Sequence, residues 1–136
     1  MSDAFVAKLA KIDGFAERVA ALSDAASSKT AAKTDGSKRS TVYGLPKLDD
    51  AEWAGTAKSG QCTLILTEGD SAKASAVAGM AVVGRQKWGV YPLRGKILNV
   101  CGVGAEAVAA NAEIAALKKI LGLQTGKAYK STAELR

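Results

Sequence analysis

One stretch constrains this chain more than any other. Cys62-Thr63-Leu64-Ile65-Leu66-Thr67 is a short apolar run rich in β-formers and bounded by Gly60 and Gly69. It leads without a break into Glu68-Gly69-Asp70-Ser71, and then into a small-residue helix from Ala72 to about Met80. A run of that length and character suits a strand buried in a parallel sheet. In such sheets ligands bind beyond the carboxyl ends of the strands. Glu68 and Asp70 are therefore expected at a site, and Gly69 lets the backbone turn sharply between them. Two carboxylates at i and i+2 offer oxygens suited to a hard cation such as Mg2+, and Ser71 is placed to cap the helix. The plainer reading stays equally open: both acids complement the positive end of the helix dipole.

The neighbouring segments extend this unit. Ala81-Val82-Val83 and Trp88–Leu93 look extended, with Pro92 pointing to an edge or a turn, and residues 97–101 read as a further strand. Ala105 to Leu121 reads as one helix with Ala110, Ile114, Leu117 and Leu121 on a face and Gly122 as its stop. Strand, helix, strand, helix is an α/β order. Towards the N-terminus, Phe5, Leu9, Ile12, Ala16, Val19 and Leu22 recur at steps of three and four, which predicts a helix over Asp3–Ala26. Gly14 inside it costs about 1 kcal/mol relative to alanine. Residues 27–41 turn polar, with Lys29, Lys33, Lys38 and Arg39 against Asp35 alone. They read as a flexible basic linker, either a solvated tether or a phosphate-contacting arm.

Composition narrows the chemistry. There is no histidine among the 136 residues, so Ser-His and Cys-His nucleophilic pairs, His-ligated zinc and imidazole acid–base work are all excluded. Cys62 and Cys101 lie far apart and do not suggest a zinc site. No run of 18 apolar residues occurs, so the chain reads as soluble and intracellular, with no membrane partner. Nineteen Lys+Arg against thirteen Asp+Glu give a net charge of +6, which favours anionic partners. Between Asp70 and Glu106 there is no acid, yet Lys73, Arg85, Lys87, Arg94 and Lys96 are present. That stretch is either a polyanion-binding surface beside a metal or a solvated basic face. Gly102-Val103-Gly104-Ala105-Glu106-Ala107 imitates a dinucleotide fingerprint, but it lacks the acidic residue at the end of a second strand.

Taken together, these motifs resemble the Toprim domain of type IIA DNA topoisomerases, in the wording of the eukaryotic topoisomerase II type. The resemblance rests on Gly44-Leu45-Pro46-Lys47-Leu48-Asp49-Asp50-Ala51, Cys62 to Lys73, Val83-Gly84-Arg85, Gly89 to Val100, Asn111-Ala112-Glu113-Ile114 and Ile120 to Gln124. It implies a partial Toprim fold, a Rossmann-like parallel sheet, over residues 42–136. Before it would stand a long helix (1–26) similar in placement to the end of the transducer domain, and the basic linker (27–41).

The same resemblance implies an ATP-driven enzyme. It would make a transient Mg2+-dependent double-strand break in DNA, pass a second duplex through it and reseal. Glu68 matches the metal ligand and candidate general acid–base, and Asp70 a supporting acid. Arg94, Gly95 and Lys96 match positions that approach DNA, as do Asn111 and Glu113. A homodimer and a nuclear location are implied for the complete enzyme, with ATP bound outside this chain. The family's Asp-x-Asp pair would fall after Arg136, and Cys101-Gly102-Val103-Gly104 replaces a charged segment. The chain alone is therefore expected to be a fragment that does not relax DNA. Two other readings remain. One is a non-catalytic basic nucleic-acid-binding module, indifferent to Mg2+ and to Glu68. The other is a misfolded or domain-swapped piece with a bare sheet edge.

Overall fold

A computed structural model describes residue 12 and residues 14–136. Among the described residues helix α1 (Phe15–Ala32) comes first. The α/β unit follows as strand β1 (Thr63–Glu68), helix α2 (Asp70–Val83) and strand β2 (Trp88–Leu93). Helices α3 (Ala105–Ala110) and α4 (Ala112–Leu121) close the element order, with single 3-10 turns at Ser59–Gln61 and Thr132–Glu134. β1 and β2 pair in parallel, from Thr63 opposite Trp88 to Glu68 opposite Leu93. α2 makes the crossover that parallel strands require.

β2, not β1, is the buried strand. Val90 is fully buried and Tyr91 nearly so, whereas Leu66 on β1 is 43% exposed. The cause lies on the far side of β2. There Asp49 forms an antiparallel bridge to Val90, with N···O distances of 2.9 and 2.7 Å. Pro92 was expected to mark an edge or a turn, yet it sits inside β2 and is buried. Its nitrogen points to the same side as that of Val90, two residues beyond the Asp49 bridge, so no ladder donor is lost. Tyr91 packs with Ala116 and Ile120 of α4, and Leu45, Leu48, Leu64, Leu93 and Leu117 close around them. α2 covers the two strands and buries Met80.

Several boundaries differ from expectation for identifiable reasons. α1 begins after Gly14, whose φ of 76° makes it a natural boundary rather than an interior weak point. Residues 3–11 of the expected helix lie outside the described residues. α1 also runs six residues into the expected linker. Thr30 Oγ1 bonds back to the Ala26 carbonyl at 3.2 Å, and Lys118 Nζ donates to the Ala31 carbonyl at 2.8 Å. Such a cation at a helix C-terminus satisfies an orphan acceptor and suits the dipole.

Ala81-Val82-Val83 finishes α2 instead of forming a strand, and Gly84 ends that helix at φ 91°. Residues 97–101 form no strand, and the backbone N–H of Cys101 bonds to Asn99 Oδ1 at 3.1 Å, a local turn. The expected helix 105–121 breaks at Asn111. Its side-chain oxygen accepts from the Ile114 N–H at 3.0 Å and so starts α4 afresh. An asparagine prefers that cap to a helix interior.

Residues 33–41 are tied to the body. The Gly36 N–H donates to the Leu123 carbonyl at 2.8 Å. Arg136, buried, donates to the carbonyls of Arg39 and Ser40 and pairs with Asp50.

Candidate functional site

Parallel pairing puts the carboxyl ends of both strands at one edge of the sheet. Glu68 lies opposite Leu93, so Glu68-Gly69-Asp70 and Arg94-Gly95-Lys96 leave the sheet side by side although 23 residues separate them in sequence. Gly69 joins the two ends, its N–H donating to the Leu93 and Thr67 carbonyls at 3.1 Å each. Its φ of 93° and ψ of 173° belong to a region that side chains avoid. Gly95 turns with a similar φ of 92°.

The two acids occupy different states. Glu68 is exposed, and among the described residues its carboxylate makes no hydrogen bond or ion pair. Asp70 opens α2 and pairs with Lys47 Nζ at 2.6 Å. The hydrogen bond from Lys47, with Lys73 and Arg94 adding their charge, holds the Asp70 carboxyl below the usual aspartate range. Ser71 makes no capping bond; Gly69 occupies the cap position. The carboxylate pair expected to share one ion is thus one unengaged oxygen donor and one acid held by a lysine. Among the described residues no three carboxylates or thiols gather to enclose a metal.

Most of the basic stretch is already engaged. Asp49 holds Lys73 at 2.6 Å and Arg85 at 3.0 Å. Lys87 and Lys58 both sit over the Trp53 ring, 5.4 and 4.5 Å from its centre, as cation–π contacts. Only Arg94 and Lys96 of the five cations lack such partners among the described residues, and both are exposed.

Arg94 also lines a cleft of about 250 Å3 with Lys47, Tyr91 and Glu113. One Glu113 oxygen is buried there without a hydrogen-bond partner. Burial, reinforced by the Glu113 charge, pushes the Tyr91 hydroxyl up. Asn111 is committed through its oxygen to the α4 cap. Lys47 and Asp49 carry no functional signal of their own in the sequence; only the fold brings their upstream loop against the strand ends. The Gly102–Gly104 pattern follows no strand and precedes a six-residue helix, so no dinucleotide cradle forms.

No protein-family description matches the chain. It is similar to DNA topoisomerase 2 of Saccharomyces cerevisiae, 49% identical over 132 residues, which covers 97% of this chain and 9% of that protein. It is also similar to DNA topoisomerase 2 of Drosophila melanogaster, 46% identical over 136 residues, 100% of this chain and 9% of that protein. In structure it is similar to the Plasmodium falciparum topoisomerase II DNA-binding, cleavage and re-ligation domain. That match has a TM-score of 0.63 and 49% identity, covering 65% of this chain and 12% of the other. Sequence and fold together place the chain among the type II topoisomerases. Within them it belongs, over the matched residues, to the eukaryotic DNA topoisomerase II family, and it spans 9% of the length of these two relatives.

Proposed function

We propose that this chain supplies the first half of the Mg2+-bearing cleavage site of a eukaryotic-type topoisomerase II. In this reading residues 42–136 are the N-terminal part of a Toprim domain, residues 1–26 the end of a transducer, and 27–41 the connection between them. The whole enzyme would be a nuclear, ATP-driven homodimer that breaks duplex DNA, passes a second duplex through and reseals. The observation that carries the proposal is the exposed Glu68 carboxylate at the exit of β1, unpartnered among the described residues and beside Arg94-Gly95-Lys96, which follow β2 directly.

Glu68 fits a hard divalent cation: it offers carboxylate oxygens that face solvent and are not spent on a neighbouring cation. Such an ion takes several oxygen ligands, so Glu68 contributes to a set completed by residues beyond those described here. Mg2+ bound there would steady charge on the non-bridging and leaving oxygens of a scissile phosphate. Glu68 would hold the ion, and its carboxyl is the group that would give a proton to, and take one from, the 3′-oxygen. Arg94 and Lys96 hold the flanking phosphates, and Gly95 lets the backbone approach them. Asp70, its charge matched by Lys47, is held within the fold and leaves the ion to Glu68. Asn111 starts the helix that presents Glu113 to the same cleft.

In a complete enzyme, Glu68→Gln should lower Mg2+-dependent supercoil relaxation by about a hundredfold or more, since even outer-shell partners of bound metals cost about 10–100-fold. Near-normal relaxation would remove Glu68 from the site. A basic module without catalytic purpose predicts instead that DNA binding ignores both Mg2+ and this substitution.

A further inference from the structure

We propose that the cleft between residues 35–43 and the end of α4 is a second phosphate-contact site for the same duplex DNA. This rests on the DNA-binding reading above and adds a place it does not contain. The cleft, of about 220 Å3, is lined by Ser37, Arg39, Thr41, Tyr43 and Lys119, together with Asp35 and its neighbours.

Three observations point to an anionic occupant. First, the backbone here is fixed while the cations are not. The Arg39 carbonyl accepts from Arg136, yet among the described residues neither the Arg39 guanidinium nor the Lys119 ammonium has an acid or carbonyl partner. Second, the one acid lining the cleft is already spent. Asp35 pairs with Lys118 at 2.7 Å and accepts from Thr125 Oγ1 at 2.7 Å and from its N–H at 3.0 Å. Burial works against its ionised form, but these bonds outweigh it and hold the carboxyl below its usual range. It therefore stays an anion with its charge matched by Lys118, and the cleft keeps two unmatched positive charges. Third, Tyr43 stands 79% exposed at the rim, a large side chain that packing does not explain. With Ser37 and Thr41 it offers hydroxyl donors beside the two cations, a set suited to phosphodiester oxygens.

The layout favours a nucleic-acid strand over a lone phosphate. Residues 41–43 of this cleft run directly into Gly44–Lys47, which line the Arg94 cleft. α4 carries Glu113 towards the Arg94 cleft and Lys119 towards the second. Six helical residues span ~9 Å, a stride of two to three nucleotides at ~3.4 Å per charge along one strand. A single backbone can therefore touch both clefts.

The test uses the 136-residue chain and a labelled 20-base-pair duplex, with affinity followed by fluorescence anisotropy across a salt series without Mg2+. The Arg39→Ala/Lys119→Ala pair should flatten the slope of log affinity against log salt by roughly 1.8, at about 0.9 per phosphate contact. Arg94→Ala/Lys96→Ala should flatten it similarly. The charge-keeping pair Arg39→Lys/Lys119→Arg should retain the wild-type slope whatever the alanine pair does to folding. An unchanged slope in Arg39→Ala/Lys119→Ala, with a flattened slope in Arg94→Ala/Lys96→Ala, overturns the second site and leaves the DNA reading standing. Loss of slope in the charge-keeping pair also overturns it. If the wild-type chain shows no salt-dependent binding, both readings fall together.

Discussion

The two ends of the parallel sheet carry similar charge and use it in opposite ways. At the amino ends of the strands, Arg85 is held by Asp49, while Lys87 and Lys58 rest on Trp53. At the carboxyl ends, Glu68, Arg94 and Lys96 have no such partners among the described residues. Density of charge along the chain therefore does not locate a site. What distinguishes the carboxyl end is charge left unmatched where the backbone turns out of the sheet, on glycines whose φ angles of 93° and 92° bar most side chains. Charge that folding has already engaged holds structure; charge left open is available to a ligand.

The comparison can be broken most severely at Asp49. Its half-buried carboxylate holds two cations and its backbone flanks β2, so Asp49→Ala should cost about 2–3 kcal/mol in a denaturant titration. It should also release Lys73 and Arg85, steepening the salt dependence of DNA binding. A stable variant with an unchanged slope would show that those cations were never engaged.

Gly69→Ala comes next. The strained φ should cost about 1–2 kcal/mol and misplace Glu68 and Asp70. Since a Cβ there meets nothing within 4 Å, a neutral result in thermal melts would mean the backbone relaxes freely.

The smallest effect concerns Asp70. Its folded pKa is depressed, so its stabilising contribution is present above the unfolded value. It is lost as pH falls through the folded one, below the ordinary 3.8. Asp70→Asn should remove that acid-side slope from a stability–pH curve, and added salt should shrink it because the pair is exposed. An identical curve for wild type and variant would dissolve the Lys47 pairing.

The strand, the acidic turn and the helix after it were legible in sequence, because each signal is local: an apolar run, a glycine and a run of small residues. The juxtaposition of Glu68 with Arg94 was not, because it needs the parallel pairing of β1 with β2, which brings their carboxyl ends to one edge. Nor was it legible which strand lies inside. That depends on Asp49 bridging Val90 across 40 intervening positions, and no pattern within 63–68 or 88–93 encodes it. The division of the last helix at Asn111 was hidden for a different reason. The apolar spacing from Ala110 to Leu121 stays in phase across the break, and only the capping bond to Ile114 reveals it. The pinning of Asp70 by Lys47 likewise needed the loop folded back onto the strand ends.

The central claim is that Glu68 alone, of the two neighbouring acids, is open to a divalent ion. Mn2+ titrated into the isotopically labelled chain bound to duplex DNA tests this by paramagnetic broadening of amide resonances. The account predicts broadening centred on residues 68–70 and 93–94, abolished by Glu68→Gln and retained by Asp70→Asn. Broadening that persists in Glu68→Gln, or that centres on the amino ends of the strands, would contradict it.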